Sequence, residues 1–238
     1  DARIRLLRHN VVLEETVRRR TEELERANAA LARDIERRKA LEENLITQAN
    51  TDALTGLANR AFILPYLRTR IDQARRDGTG FGLALFDFDG FKLINDHYGH
   101  AVGDEVLRVM GRRIQQICRS SDVLARLGGD EFVLAFEGFQ NEAQVSALAR
   151  RLVQVFDTPI SVDGRYVKVG VSLGIALFPQ HGDGVDSLMA AADATMYRVK
   201  QRGGGFDFVA GTSAPGRARG PSVSGRTRAP CRSRPSIA

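Results

Sequence analysis

Four carboxylates in this 238-residue chain sit where they could share a ligand. The apolar run Leu83-Ala84-Leu85-Phe86-Asp87-Phe88-Asp89 ends in two acids, and Arg126-Leu127-Gly128-Gly129-Asp130-Glu131-Phe132 carries two more behind a Gly-Gly step. Short apolar runs flank the second stretch, so residues 122–136 read as a β-hairpin. Glycine enters the φ > 0 turn region without penalty, and the missing side chains at Gly128 and Gly129 leave the tip open. Alone, such a tip is an ordinary solvated turn. Beside a strand that ends in Asp87 it becomes a site for a hard cation, because Mg²⁺ takes one or two carboxylates plus substrate phosphates. The matching chemistry is metal-assisted phosphoryl transfer to a hydroxyl.

Periodicity supplies the elements that must position these groups. Residues 1–48 are dense in charge, free of Gly and Pro, and helical in character. Val17, Leu24, Leu31 and Leu45 share one heptad position, interrupted by Arg38. Leu13, Ala27 and Leu41 share its partner, interrupted by Arg20 and Asp34. This is an imperfect coiled-coil seam, with a single solvated helix as the competing reading. A helix over about 59–76 contains Pro65, which should kink it or move its start. A strand at 81–88, a loop rich in Gly, Asn and His, a helix at 101–117 and the hairpin follow. Next come a helix at 141–156, a long strand at 167–178 and a helix at 185–200. A hairpin at the centre of this order argues against a uniformly parallel sheet and for an α+β sandwich with a mainly antiparallel sheet.

Composition narrows the function classes. The net charge of +6 suggests nucleic acid, but six arginines against Asp207 give residues 203–238 a charge of +5, leaving +1 for the other 202. The basicity belongs to a Gly/Pro/Ser/Arg tail, and residues 206–238 are expected not to fold. A nucleic-acid partner is therefore not expected. Cys118 and Cys231 offer no disulfide framework, and no apolar run has the length of a membrane span, which together suggest the cytoplasm. The chain opens at Asp1, as expected of the cytoplasmic part of a larger or membrane-anchored protein.

Gly128-Gly129-Asp130-Glu131-Phe132 resembles the signature of the GGDEF family, the diguanylate cyclases. Further blocks of that family recur in order: Asp52–Arg60, Asp87–Lys92, Asn95–His100, Gly103-Asp104, Val171–Ala176 and Ala192–Tyr197. The resemblance covers about residues 50–205 and divides the chain into a signalling helix (1–48), a GGDEF domain (49–205) and the tail. It implies the palm-like fold of nucleotidyl cyclases and the condensation of two GTP into cyclic di-GMP in a two-fold homodimer. It further implies Mg²⁺ or Mn²⁺ held by Asp87, the Phe88 carbonyl, Asp130 and Glu131. Asp130 becomes the favoured base, with Glu131 the alternative base and water an alternative proton carrier, and Lys92 a charge near the phosphates. Asp89 is structural. Asn95 and Asp104 become guanine readers, and His100 and Lys200 further substrate contacts. Arg119 and Asp122 match the inhibitory product site, and an upstream sensor is expected. One departure stands out: Gly204 replaces the family's phosphate-gripping arginine, with Arg202 a candidate substitute. The alternative reading is therefore a catalytically weak module that binds GTP or cyclic di-GMP and regulates a missing partner domain.

Overall fold

The computed structural model describes residues 2–162 and 164–210. Helix α1 (Ala2–Asn50) runs unbroken, as its lack of Gly and Pro requires. Pairs such as Glu15–Arg18, Glu22–Arg26 and Asp34–Arg38 line its surface, each worth only a few tenths of a kcal/mol. From Leu13 onward its large apolar side chains face solvent, Leu24 being 63% and Leu31 59% exposed. Within one chain, then, the helix has no hydrophobic reason to persist.

The remaining elements are β1 (Ala58–Asn59), α2 (Arg60–Asp77), β2 (Phe81–Asp89), α3 (Phe91–Tyr98), α4 (His100–Ile117), β3 (Val123–Gly128) and β4 (Glu131–Phe136). They continue with α5 (Glu142–Val155), β5 (Ile160–Val162), β6 (Arg165–Val167), β7 (Gly170–Phe178), α6 (Val185–Gln201) and β8 (Gly205–Phe208). A six-stranded sheet has the order β1-β3-β4-β2-β7-β8. Its four inner strands are antiparallel, while the short edges β1 and β8 run parallel to their neighbours. The expected α+β architecture with a mainly antiparallel sheet is thus present.

Strand alternation divides the core. Leu83 and Leu85 of β2 pack with Val133, with Ile63 and Leu67 of α2, and with Leu188 and Ala192 of α6. Phe86 and Phe88 point the other way, joining Phe132, Val106 and Met110 of α4, and Val145 and Leu152 of α5.

The structure corrects several boundaries. Pro65 does not delay α2: the helix starts at Arg60, capped by the Asn59 side chain, which accepts from the Phe62 N–H at 3.0 Å. The expected loop after β2 contains α3, an eight-residue helix that buries only Phe91 and Ile94. The strand expected at 167–178 is divided, with Val167 closing the β5–β6 hairpin and β7 starting at Gly170. Residues 206–208, assigned by composition to the tail, pair in β8 with Leu173–Ile175. The rest of the tail beyond residue 210, with Cys231, lies outside the described residues. Among the described residues no helix is long and apolar enough to cross a membrane.

Candidate active site

The two acidic stretches meet at one end of the sheet. Strands β2 and β4 pair so that Asp87 lies directly opposite Glu131, with Asp130 in the turn just before it. The aromatic residues of both stretches hold this register. Phe88 is wholly buried; its ring stacks on Phe132 at 4.9 Å and meets Phe156 edge-on at 5.1 Å. The Phe of the Gly-Gly-Asp-Glu-Phe run is therefore the anchor that fixes the acids ahead of it. Asp89 accepts a hydrogen bond from Ser172 Oγ at 2.8 Å on β7, a structural role as expected.

The tip is tied down by a residue that motif reading passed over. Gly128 and Gly129 take φ of 147° and 54°, and the ladder shifts register between Arg126 and Gly128. Arg126 spans that irregularity. Its Nε donates to the Gly129 carbonyl at 2.8 Å, and its Nη1 donates to both Asp52 carboxylate oxygens at 3.0 and 3.1 Å. Thr55 adds two hydrogen bonds to Asp52 Oδ1. Burial alone would raise the Asp52 pKa, but the hydrogen bonds from Thr55 and Arg126 outweigh it and hold the carboxyl below its usual range. Asn59 Nδ2 donates to the Ala49 and Thr51 carbonyls, so the end of α1 is bonded to the segment that grips the tip.

The carboxylates strain against one another. Partial burial, then the charge of Asp87, pushes the Asp130 pKa upward. Glu131 is raised by burial, then by Asp87, Asp193 and Asp130. This surplus of negative charge suits a divalent cation. Among the described residues no three His, Cys, Asp or Glu side chains form a preassembled cage. Mg²⁺ needs none: one or two carboxylates, a main-chain carbonyl such as that of Phe88, water and phosphate complete its shell. The donor set fits. In the structure the nearest cation is Lys200, whose Nζ lies 2.5 Å from Asp87 Oδ1. That hydrogen bond, ahead of the surrounding acidic charge and against burial, raises the lysine pKa.

The expected base readers also come together. An ideal Cβ on Gly103 would lie 1.9 Å from Asn95 Oδ1, so the Asn95 side chain on α3 rests where only glycine leaves room. Asp104, half-buried, is the next residue of α4. His100 opens α4 one turn earlier and is exposed. Lys92 is exposed on α3 and makes no ion pair among the described residues, so the cation joined to the acidic cluster is Lys200, not Lys92.

Arg119 and Asp122 lie elsewhere, at the open end of the β3–β4 hairpin. Six residues at about 3.3 Å each put that end roughly 20 Å from the tip. There a cavity of about 300 Å³ is lined by Arg119, Asp122, Phe139, Gln144 and Arg151. Asp122 Oδ2 accepts from the Arg119 N–H at 2.8 Å, while its buried Oδ1 has no partner among the described residues. Arg151 on α5 is the second cation of this cavity. It was missed because nothing in its sequence surroundings sets it apart from any helix-surface arginine.

Gly204, where the resemblance expects an arginine, lies in a turn that leaves a side chain little room. It has φ +96°, and an added Cβ would lie 2.8 Å from Asp89 Oδ2 and 3.2 Å from the Val171 carbonyl oxygen. Arg202, the candidate substitute, is engaged by Asp207 at 3.2 Å.

Comparison with known proteins identifies the family and the fold. Residues 49–205 match the family described as diguanylate cyclase, GGDEF domain. The chain is 42% identical over 159 residues, 67% of its length, to the bifunctional diguanylate cyclase/cyclic di-GMP phosphodiesterase MucR of Pseudomonas aeruginosa, covering 23% of that protein. It is 36% identical over 72% of its length to the diguanylate cyclase TpbB of the same organism, covering 40% of it. The chain therefore spans well under half of these relatives. Among solved structures, the coiled coil and GGDEF domain of DgcB from Caulobacter crescentus, in complex with c-di-GMP, superposes with a TM-score of 0.72. That match has 30% identity and covers 78% of this chain and 98% of that one. The GGDEF domain of TpbB alone superposes at 0.65, with 36% identity, covering 67% and 94%. The chain belongs to the GGDEF family, homologous to diguanylate cyclases.

Proposed function

We propose that this chain is a diguanylate cyclase that condenses two GTP into cyclic di-GMP and two pyrophosphates. The observation that carries the reading is the pairing of Asp87 with Glu131 across β2 and β4, with Asp130 beside them and a field that favours added positive charge. A bound Mg²⁺ or Mn²⁺ would be held by Asp87, the Phe88 carbonyl, Asp130 and Glu131. It would supply charge neutralisation at the phosphates.

The chain's own groups account for the rest. Asn95 and Asp104 bind guanine: a carboxylate accepts from the N–H groups of its Watson–Crick edge, which adenine does not present in that pattern. Lys200 and Lys92 offer charge to the triphosphate, and His100 a further contact. Asp130 is the favoured base and takes the 3′-hydroxyl proton directly or through water; a raised pKa, which Glu131 shares, suits either carboxylate to that step. The ribose 3′-oxygen then forms a bond to the α-phosphorus of the second GTP as the bond to pyrophosphate breaks. Each subunit holds one GTP, so two must face each other. The exposed seam of α1, with Leu24 and Leu31, supports a parallel coiled coil as the tether. Arg119, Asp122 and Arg151 would bind the product and restrain the enzyme, since arginine pairs bidentately with phosphate.

The second reading, a nucleotide-binding module regulating a partner domain, is favoured by Gly204, whose surroundings leave no room for the family's arginine. Incubation of the chain with GTP or ATP and Mg²⁺, followed by product identification, separates the two. Cyclic di-GMP from GTP alone is the expected result. Nucleotide binding without turnover would establish the module.

A further inference from the structure

We propose that Lys200 makes cation binding at the acidic cluster conditional on nucleotide, by standing in for the metal on Asp87 until a triphosphate draws it away. The inference rests on the metal reading above and goes beyond it. Lys200 occupies the last turn of α6, and its Nζ lies 2.5 Å from Asp87 Oδ1. The carboxylate side chain is 13% exposed and the lysine 44%, so the acid is fixed while the ammonium can leave. Asp87 cannot present the same oxygen to an ammonium at hydrogen-bond distance and to a divalent cation without crowding two positive charges together. Entry of the cation alone therefore breaks the pair and gives the ammonium only water in exchange. Entry of a cation with a triphosphate offers Lys200 phosphate oxygens in exchange. The lysine thus raises the threshold for the bare ion and lowers it for the ion–nucleotide complex.

Other cations do not stand in the same relation to Asp87. Arg60 acts on Glu131 through its charge alone, and Arg126 is committed to Asp52 and Gly129. Arg60 therefore serves as a control for the general field, since removing it takes away a charge without removing a contact to Asp87.

The test uses the full chain and Mn²⁺ alone, with free and bound ion counted by electron paramagnetic resonance. Lys200→Gln should tighten Mn²⁺ binding in the absence of nucleotide by about threefold, the scale of a partly exposed ion pair, and Arg60→Gln should tighten it less. With saturating 3′-deoxy-GTP, which cannot cyclise, the Lys200→Gln advantage should disappear or reverse. Lys200→Arg, which keeps the charge, should stay near wild type. Equal tightening in Lys200→Gln and Arg60→Gln would overturn the exchange, because a diffuse field would then explain it. So would an unchanged Mn²⁺ affinity in Lys200→Gln when Asp87→Asn abolishes binding, a result that leaves the metal reading standing. Binding indifferent to Asp87→Asn would instead remove the metal reading, and the exchange with it.

Discussion

The β3–β4 hairpin holds its charges differently at its two ends. At the tip, Asp130 and Glu131 lie beside Asp87, short of positive charge. At the open end, Arg119 and Arg151 line a cavity with Asp122. The middle is Phe132–Phe136, buried on both faces of the sheet. An apolar strut thus separates an acidic end suited to a metal and phosphates from an end where arginines and carboxylates share a cavity. The difference between the ends is one of preparation. The tip is held by Arg126, Asp52 and stacked phenylalanines, as chemistry on reacting atoms demands. The open end keeps an unpartnered Asp122 oxygen and an exposed Arg119, as a site that waits for a ligand can.

That comparison can be broken most sharply at Glu131. Glu131→Gln should lower GTP turnover by at least about a hundredfold, a typical cost for losing a group that stabilises charge in the transition state. It should not weaken cyclic di-GMP binding at the open end. Because burial, and then its acidic neighbours, hold the Glu131 pKa above the ordinary value, the folded state penalises the ionised form. The penalty is absent at low pH and grows as pH rises through the raised pKa. The variant should therefore melt slightly above wild type at pH 7–8, and the gap should close below pH ~4. Near-wild-type turnover would remove Glu131 from the site.

Deleting residues 1–48 addresses the encounter of two tips. A short tether supplies an effective concentration around the millimolar range, so the truncated chain should lose activity about tenfold or more at micromolar protein and recover it in part on concentration. Product affinity should not change. A truncated chain that matches the full one at every concentration would make α1 a passive linker.

Gly204→Arg sharpens the comparison beside the acidic end. Positive φ and the close approach to Asp89 predict a loss of about 2 kcal/mol, or roughly 4–8 °C in Tm, with no improvement in GTP affinity. A stable variant with tighter GTP binding would mean that the glycine turn readily adopts the family's usual form.

The smallest effect is expected from Asp52→Asn, which loosens the strap on the tip. Since the Asp52 pKa is lowered on folding, its contribution is present at neutral pH and is lost as pH falls through that lowered value. The variant should be about 1 kcal/mol less stable at pH 7 and indistinguishable from wild type in strong acid. A pH-independent difference would assign the loss to packing.

The candidate site residues were legible because their types are uncommon in context: paired acids after Gly-Gly, and a strand that ends in Asp. Long elements with a clear period, such as α4 and α5, were legible too. Short elements were not. Helix α3 offers only Phe91 and Ile94 as buried positions, too few to show a 3.6-residue period among Asn, Asp and His. The β5–β6 hairpin has three residues a side, and β8 follows Gly203 and Gly204, so its Phe206 and Phe208 looked like the start of the tail. Arg126 and Arg151 eluded motif reading for a different reason. Their roles depend on partners 74 positions away in one case and on a cavity closed by separate elements in the other. Spacing along the chain does not carry that information.

The most direct test crosses the two ends in one experiment. Wild type, Glu131→Gln and Arg119→Ala, each as the full chain, are given GTP and Mg²⁺ while cyclic di-GMP is added in steps, and pyrophosphate release is followed. Wild type should turn over and be inhibited. Arg119→Ala should turn over at the uninhibited rate and resist added product. Glu131→Gln should release no pyrophosphate, yet bind cyclic di-GMP as wild type does when titrated calorimetrically. Loss of turnover in Arg119→Ala, or loss of product binding in Glu131→Gln, would contradict the separation of one hairpin into an end that makes the product and an end that senses it.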